Sequence, residues 1–383
     1  MALHFSKKEY KGRMDRLIKE MKSRKLDGIM LFAQESMYWL AGYDTFGFYF
    51  FQSMIVSAKG DITLLTRSAD LRQAQHTSIV EDIRLWKDHE KAKPEDDVYE
   101  TLKDLGYKGK TLGIETKTVG LNAFYGSAIE KKLKGFAKLK DASLLVDHLR
   151  VVKSKAELGF IRKAGELSDD AFDAAISKTH AGADEGDILA AMHKAIFSKG
   201  GDYAGNEFII GSDKDALLCR YKSGRRALSK RDQLTLEWSG AYRHYHAAMM
   251  RTLIVGKPTK LHLKFFEAAK EALVEVQKAM KVGNTFGDMF DAHAKVLDTA
   301  GLKKHRLNAC GYSMGASFAP CWMDPPMIYE GNSTRIQKNM VLFHHMIIVD
   351  SETNTAMTIG QSSIAAKKGP ISLTRHEIDL ISR

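Results

Sequence analysis

Between Leu236 and Gly256 the chain reads LEWSGAYRHYHAAMMRTLIVG, a stretch whose polar residues are of types that do proton and acyl chemistry. Glu237, Tyr242, Arg243, His244 and His246 are too dense a cluster for an ordinary pair of core strands. The pattern predicts a hairpin of two strands, Thr235–Ser239 and His244–Val255, with the turn running from Gly240 to Arg243. Side chains alternate in direction along a strand. His244, His246, Ala248 and Met250 therefore share one face of the second strand, and Tyr245, Ala247, Met249 and Arg251 share the other. Glu237, between Leu236 and Trp238, is expected to be desolvated, which raises a carboxyl pKa and suits a base or nucleophile. His246 is the candidate proton carrier, since an unperturbed histidine titrates near pH ~6.5. The competing reading pairs Glu237 with Arg243 or Arg220 simply to close the fold, and has His246 bonded to backbone.

Arg220 stays protonated and cannot act as a base. It can hold a substrate carboxylate in a bidentate pair, so a carboxylate-bearing substrate is expected unless Arg220 forms only a salt bridge. Tyr312, within Gly311-Tyr312-Ser313-Met314-Gly315, could donate to a developing oxyanion or simply pack. Trp322 could wall a cationic or amidinium-like group. His344 and His345 are adjacent in a strand-like run, MVLFHHMIIV, and so face opposite sides. Which of the two faces the pocket depends on register. Cys219, Cys310 and Cys321 have no metal-type spacing, and so small a number fits a reducing compartment.

The hairpin resembles that of the creatinase, aminopeptidase P and prolidase family, which has the pita-bread fold. Met37-Tyr38-Trp39-Leu40-Ala41-Gly42-Tyr43 and the run Arg150–Lys155 with Glu157 are similar to two further motifs of that family. Its ectoine hydrolase branch resembles this chain at Gly42-Tyr43-Asp44 through Phe48-Tyr49, at the Glu237 hairpin, and at the Tyr312 and Trp322 loops. The resemblance implies an α/β (α+β) chain: an N-terminal creatinase-like α/β domain, then a C-terminal pita-bread catalytic domain. It implies that the metal-binding positions of the peptidases fall on Glu237, Ala248, Tyr312, His345 and Gly360, of which about two keep a donor side chain. It further implies Glu237 attacking substrate to form an acyl intermediate. Phe46 and Phe48 would reach across a homodimer interface into the partner's site, or else pack in their own domain's core. The chain departs from the ectoine hydrolase branch at Met323-Asp324-Pro325-Pro326 and at Gln361, so the resemblance does not carry the substrate.

These residues need elements to hold them. The 383 residues suit two domains, with a boundary near 150, giving 1–150 and 151–383. In the first, helices are predicted at Tyr10–Ser23 and Asn122–Leu133 and strands at Gly28–Phe32, Gln52–Val56, Ile62–Leu65 and Thr111–Ile114, with Met37–Tyr43 helix or loop. In the second, a long helix follows residue 154, with Phe160, Ala164, Leu167, Ala171 and Ala175 on one stripe. Helices at Glu185–Ser198, over the stripe Phe266–Met280, and at Phe286–Thr299 follow the same logic. Late strands are expected near Ala316–Phe318, Val341–Val349 and Thr355–Ala365, completing two similar α/β halves.

The net charge of +11 is spread along the chain on helix-like faces, which argues against a nucleic-acid partner. No run approaches the roughly 18 apolar residues of a membrane span, and the opening MALHFSKKEYKGRMD lacks a signal-peptide core. A cytoplasmic protein with a small-molecule substrate and no membrane partner is expected. The resulting expectation is a hydrolase of a non-peptide C–N bond that uses no metal or other cofactor. Glu237, His246 and Tyr312 would be catalytic, and Arg220, Tyr242, His244, Trp322, His345, Phe46 and Phe48 would contact substrate. The alternatives are a Xaa-Pro peptidase with an altered metal site and a non-catalytic binder that reuses the cleft.

Overall fold

Ser6 caps the first helix, α1 (Lys7–Ser23), by accepting the amide N–H of Glu9, and Tyr10, Met14, Leu17 and Met21 line its buried stripe. A computed structural model describes residues 3–220 and 225–383. The chain forms two units, residues 1–150 and 151–383.

In the first unit, α1 leads to β1 (Gly28–Leu31), α2 (Gln34–Ala41), β2 (Ser53–Ser57), β3 (Ile62–Arg67), α3 (Leu71–Thr77) and β4 (Asp82–Trp86). Then come α4 (Pro94–Asp104), β5 (Thr111–Ile114), α5 (Ala123–Leu133), β6 (Lys138–Asp141) and α6 (Leu145–Arg150). The strands order as β4-β3-β2-β1-β5-β6. β2 runs antiparallel to its two neighbours and the other pairings are parallel. Alternation along β1 sends Ile29 and Leu31 into an apolar cluster with α1 and α2, while Met30 joins Val98 and Leu102 of α4 and Ile129 of α5 on the opposite face. A sheet covered on both faces needs such two-sided apolar strands. β4 and β6, at the sheet's edges, leave most of their residues at least partly exposed, so their apolar pattern is weak and sequence reasoning missed them.

The second unit opens on α7 (Lys155–Lys178), started by a reciprocal capping box between Ser154 and Glu157, and α8 (Glu185–Phe197), capped by Asp184. β7 (Ile209–Ser212), β8 (Asp232–Tyr242), β9 (Tyr245–Val255), α9 (Lys260–Ala279) and α10 (Phe286–Thr299) follow. The chain then forms β10 (Ala309–Ser313), β11 (Asp324–Tyr329), β12 (Val341–Asp350), β13 (Thr355–Ile364) and the short β14 (Ile371–Ser372). The sheet is antiparallel in the order β11-β10-β12-β13-β9-β8-β7, with β14 beside β13.

α7 lies on β8 and β9, where the Trp238 indole N–H donates to the Ser168 carbonyl at 2.9 Å. A side chain on Gly240 would sit 2.1 Å from the Ala164 carbonyl oxygen, so only glycine lets this helix approach. α9 covers β12 and β13 through Ala269, Leu273 and Val276 against Leu342, Met346, Ile348, Met357 and Ile359. One face of the sheet is thus committed to helices, and the other is left for a site.

Two sequence expectations need correction. The β8–β9 turn is Arg243-His244, both with positive φ (51° and 63°), and Tyr242 pairs with Tyr245 across it. A two-residue hairpin turn whose two residues both have positive φ matches the twist of its strands, so Tyr242 belongs to a strand and His244 to the turn. The expected strand at Ala316–Phe318 is an irregular segment that meets the sheet at a Tyr245–Ala316 bridge. The strands there are β10 and β11, on either side of it.

Candidate active site

Register, more than sequence proximity, assembles the site. Glu237 pairs with Met250, Met250 with Gly360, and Gly360 with His345, a row that crosses β8, β9, β13 and β12. Residues directly opposite in antiparallel strands face the same way, so all four lie on the face away from α7. Tyr312 pairs with Phe343, two residues before His345, and joins that face. His344 pairs with Gln361 and Gly311 on the reverse face. Its two ring nitrogens are buried without a hydrogen-bond partner.

Glu237 is 7% exposed, and burial pushes its carboxyl pKa up to about 7, against the pull of Arg220 and of the Tyr312 hydroxyl. Desolvation disfavours the charged form and here outweighs both. The Tyr312 hydroxyl donates to Glu237 Oε1 at 3.3 Å, and the Trp322 indole N–H donates to the Tyr312 oxygen at 2.9 Å. Burial, then the Glu237 charge, raises the Tyr312 pKa well above the ordinary value, so Tyr312 stays a phenol. Cys219 stands near enough to feel both Arg220 and Glu237, and burial raises its thiol pKa.

Several candidates sit differently from expectation. His246 is fully buried, and its Nε2 accepts the Gly205 amide N–H at 2.8 Å, which leaves the ring proton on Nδ1. Burial lowers its pKa to about 4, so it is neutral near pH 7 with its basic nitrogen engaged, unlike a proton carrier. His244, in the turn, stacks on Phe318 with ring centroids 4.1 Å apart. Tyr242 is on the helix-facing side of β8, edge-on to Phe160 at 5.7 Å, and so points away from Glu237. Arg243 lies over the same Phe160 ring, and the cation that acts on Glu237 is Arg220. Trp322 is 1% exposed and offers little ring surface as a wall. Arg220 is exposed. His345 packs beside Tyr312 and Phe343, with ring centroids 5.8 and 5.6 Å away, and burial pushes its pKa to about 3. In the first unit, Phe46 is 83% exposed, which is not a core position, and Phe48 is half-buried.

Sequence reasoning missed Phe343 and Asn206. A side chain on Gly360 would come within 2.8 Å of the Phe343 ring, so that aromatic fills the space over Gly360. The period-two spacing of Phe343 and His345 was the available signal. Asn206 Oδ1 accepts the Trp322 amide N–H at 3.1 Å, and no local pattern announces it. Among the described residues, no group of three or more His, Cys, Asp or Glu is placed to hold a metal ion.

Residues 159–364 match the pattern of Metallopeptidase family M24, and residues 13–152 that of the Creatinase/Prolidase N-terminal domain. The chain belongs to family M24. It is built as a creatinase-like N-terminal domain followed by a pita-bread domain. Relatives of this M24 chain include the ectoine hydrolase of Halomonas elongata, 25% identical over 364 residues and 90% of each chain. A Xaa-Pro dipeptidase of Pyrococcus furiosus is 24% identical over 87% of this chain and 89% of its own. An uncharacterised hydrolase/peptidase of Sinorhizobium fredii is 26% identical over 98% of each. Among solved structures, a prolidase from Thermococcus sibiricus superposes with a TM-score of 0.87 at 20% identity, covering 98% of this chain and 99% of that one. At that identity the likeness speaks for the fold alone. Among the described residues, no helix is long and apolar enough to cross a membrane.

Proposed function

We propose that this M24 hydrolase cleaves a non-peptide C–N bond in a small compound, such as a cyclic amidine, amide or guanidino group, using Glu237 and no bound metal. The observation that carries this reading is a single desolvated carboxylate, poised near neutrality and held by a phenol, in a row whose other members are Met250, Gly360 and His345 and include no second carboxylate. Ala248 and Gly360 offer no side-chain ligand atom, the Phe343 ring occupies the space over Gly360, and His345 is left as a lone imidazole beside Phe343. A pair of divalent ions needs several converging carboxylate or imidazole donors, and this donor set does not fit one.

Near pH 7 a substantial fraction of Glu237 is ionised. Its carboxylate draws a proton from the water that attacks the electrophilic carbon and passes that proton to the nitrogen as the C–N bond breaks; alternatively the carboxylate attacks the carbon itself, and the departing nitrogen takes its proton from water. If an acyl-Glu237 forms, water hydrolyses it and restores the carboxylate. Exposed Arg220 stands where it could receive a substrate carboxylate. A homodimer suits the exposed aromatics Phe46 and Tyr49, each 83% accessible.

A Xaa-Pro peptidase is the second reading, favoured by the dipeptidase relatives. The test is a thermal-shift screen of cyclic amidines, guanidino acids and proline dipeptides, with turnover of each hit measured before and after EDTA. Hydrolysis of a non-peptide C–N bond that survives EDTA and is lost in Glu237→Gln is the expected result. Turnover restricted to proline dipeptides, restored only by added divalent metal, would overturn the proposal.

A further inference from the structure

We infer that Trp322 is a positioning residue, which acts through Tyr312 to present Glu237 with one carboxylate oxygen held and the other free; the inference rests on Glu237 being the reacting group. Donor capacity sets the direction of the chain. An indole N–H can only donate and a tyrosine hydroxyl has a single proton. With Trp322 Nε1 2.9 Å from the Tyr312 oxygen, that oxygen accepts there, and its own proton turns to Glu237 Oε1 at 3.3 Å. With Glu237 ionised, the order Trp322 to Tyr312 to Glu237 therefore has one direction. Glu237 Oε2 has no hydrogen-bond partner among the described residues, so it is the oxygen left to attack or to carry a proton.

The anchoring of Trp322 makes this a built arrangement. Its amide N–H donates to Asn206 Oδ1 at 3.1 Å, and its carbonyl accepts the Ser317 hydroxyl at 3.3 Å. The neighbouring Gly205 amide is held by His246 Nε2, and a side chain on Gly205 would lie 2.9 Å from the Trp322 nitrogen. His246, which carries no proton to substrate in this arrangement, thus helps to seat the loop that seats Trp322. A donor to the phenol oxygen polarises its O–H and strengthens the bond to the carboxylate. The charged and titratable groups facing Glu237 are Arg220 and Cys219 from the segment after β7 and Tyr312 from β10; Cys321 and His345 face Tyr312 in turn.

The test is a double-mutant cycle read on the titration of Glu237, with no substrate present. Protein labelled with carboxyl-13C glutamate is titrated as the full chain, and the Glu237 signal is assigned by its loss in Glu237→Gln. Trp322→Phe should raise the titration midpoint by about half to one pH unit, as expected for a weakened hydrogen bond to the carboxylate. Tyr312→Phe should raise it at least as much. Trp322→Phe added to Tyr312→Phe should change nothing further, because the only route from the indole to Glu237 has gone. Should Trp322→Phe not fold, benzothienylalanine at position 322 keeps the ring shape and lacks the N–H. An unchanged midpoint in the single variant, or the same rise in both backgrounds, would overturn the inference. Either failure leaves the proposed reaction standing, whereas metal-dependent peptidase turnover would end that reaction without altering these midpoints.

Discussion

Replacing Glu237 by glutamine should make the protein more stable at high pH while abolishing its activity. The carboxyl is raised from 4.5 to about 7 by burial. At about 1.4 kcal/mol per pH unit, that rise is worth about 3 kcal/mol. Between the two values the folded state keeps the proton and the unfolded chain has released it, so stability falls as pH increases through this window. Below pH ~4.5 both states are protonated and the effect vanishes; above pH ~7 the full amount is lost. Glutamine approximates the protonated acid in shape and has nothing to ionise. The variant and the parent should therefore have similar unfolding free energies at pH 5, and the variant should lead by about 3 kcal/mol at pH 8.5. Urea unfolding at a series of pH values measures this. Glu115 in the first unit is also pushed up to about 7, but it titrates identically in both proteins and drops out of the difference. A difference that stays flat from pH 5 to pH 8.5 would show that Glu237 is not desolvated and would remove the physical basis for its reactivity.

Other perturbations test neighbouring claims. Arg220→Ala removes the cation that holds the Glu237 pKa down, so the midpoint for activity should move to higher pH, and KM should rise at least tenfold for substrates bearing a carboxylate and little for those without one. Gly360→Ala would press a methyl group to 2.8 Å from the Phe343 ring; overpacking of this kind should lower stability by about 1–3 kcal/mol, measured by the urea midpoint. Gly240→Ala should be at least as damaging, because the contact at 2.1 Å is with the α7 backbone, and a wild-type midpoint would contradict the packing described.

The elements best legible in the sequence were those whose apolar residues recur with a clean period. α10 and β5 fall where periodicity and length put them, and α8 begins at its Asp184 cap. β4 and β6 lacked the signal because edge strands need little apolar surface. At the site, the apolar flanks of Glu237 pointed to a strand covered on both faces, while the groups that desolvate the acid are those that register brings onto its own face. The hairpin turn was misread because a glycine at position 240 looked like a turn residue, whereas its role is to admit α7. That reading placed Tyr242 in the turn and His244 in the second strand, the reverse of what the structure shows.

What local pattern determined, then, is the kind of molecule: two α/β units, the second with an acidic residue in an apolar strand pair and few donors around it. Only the tertiary structure decided which residues meet that acid. Tyr312 and Trp322 lie 75 and 10 residues along the two successive hydrogen bonds that lead away from Glu237. The capture of His246 by Gly205 spans 41 residues. Such pairings follow from strand register and loop packing, which depend on contacts between distant segments and leave no trace in the spacing of any one of them.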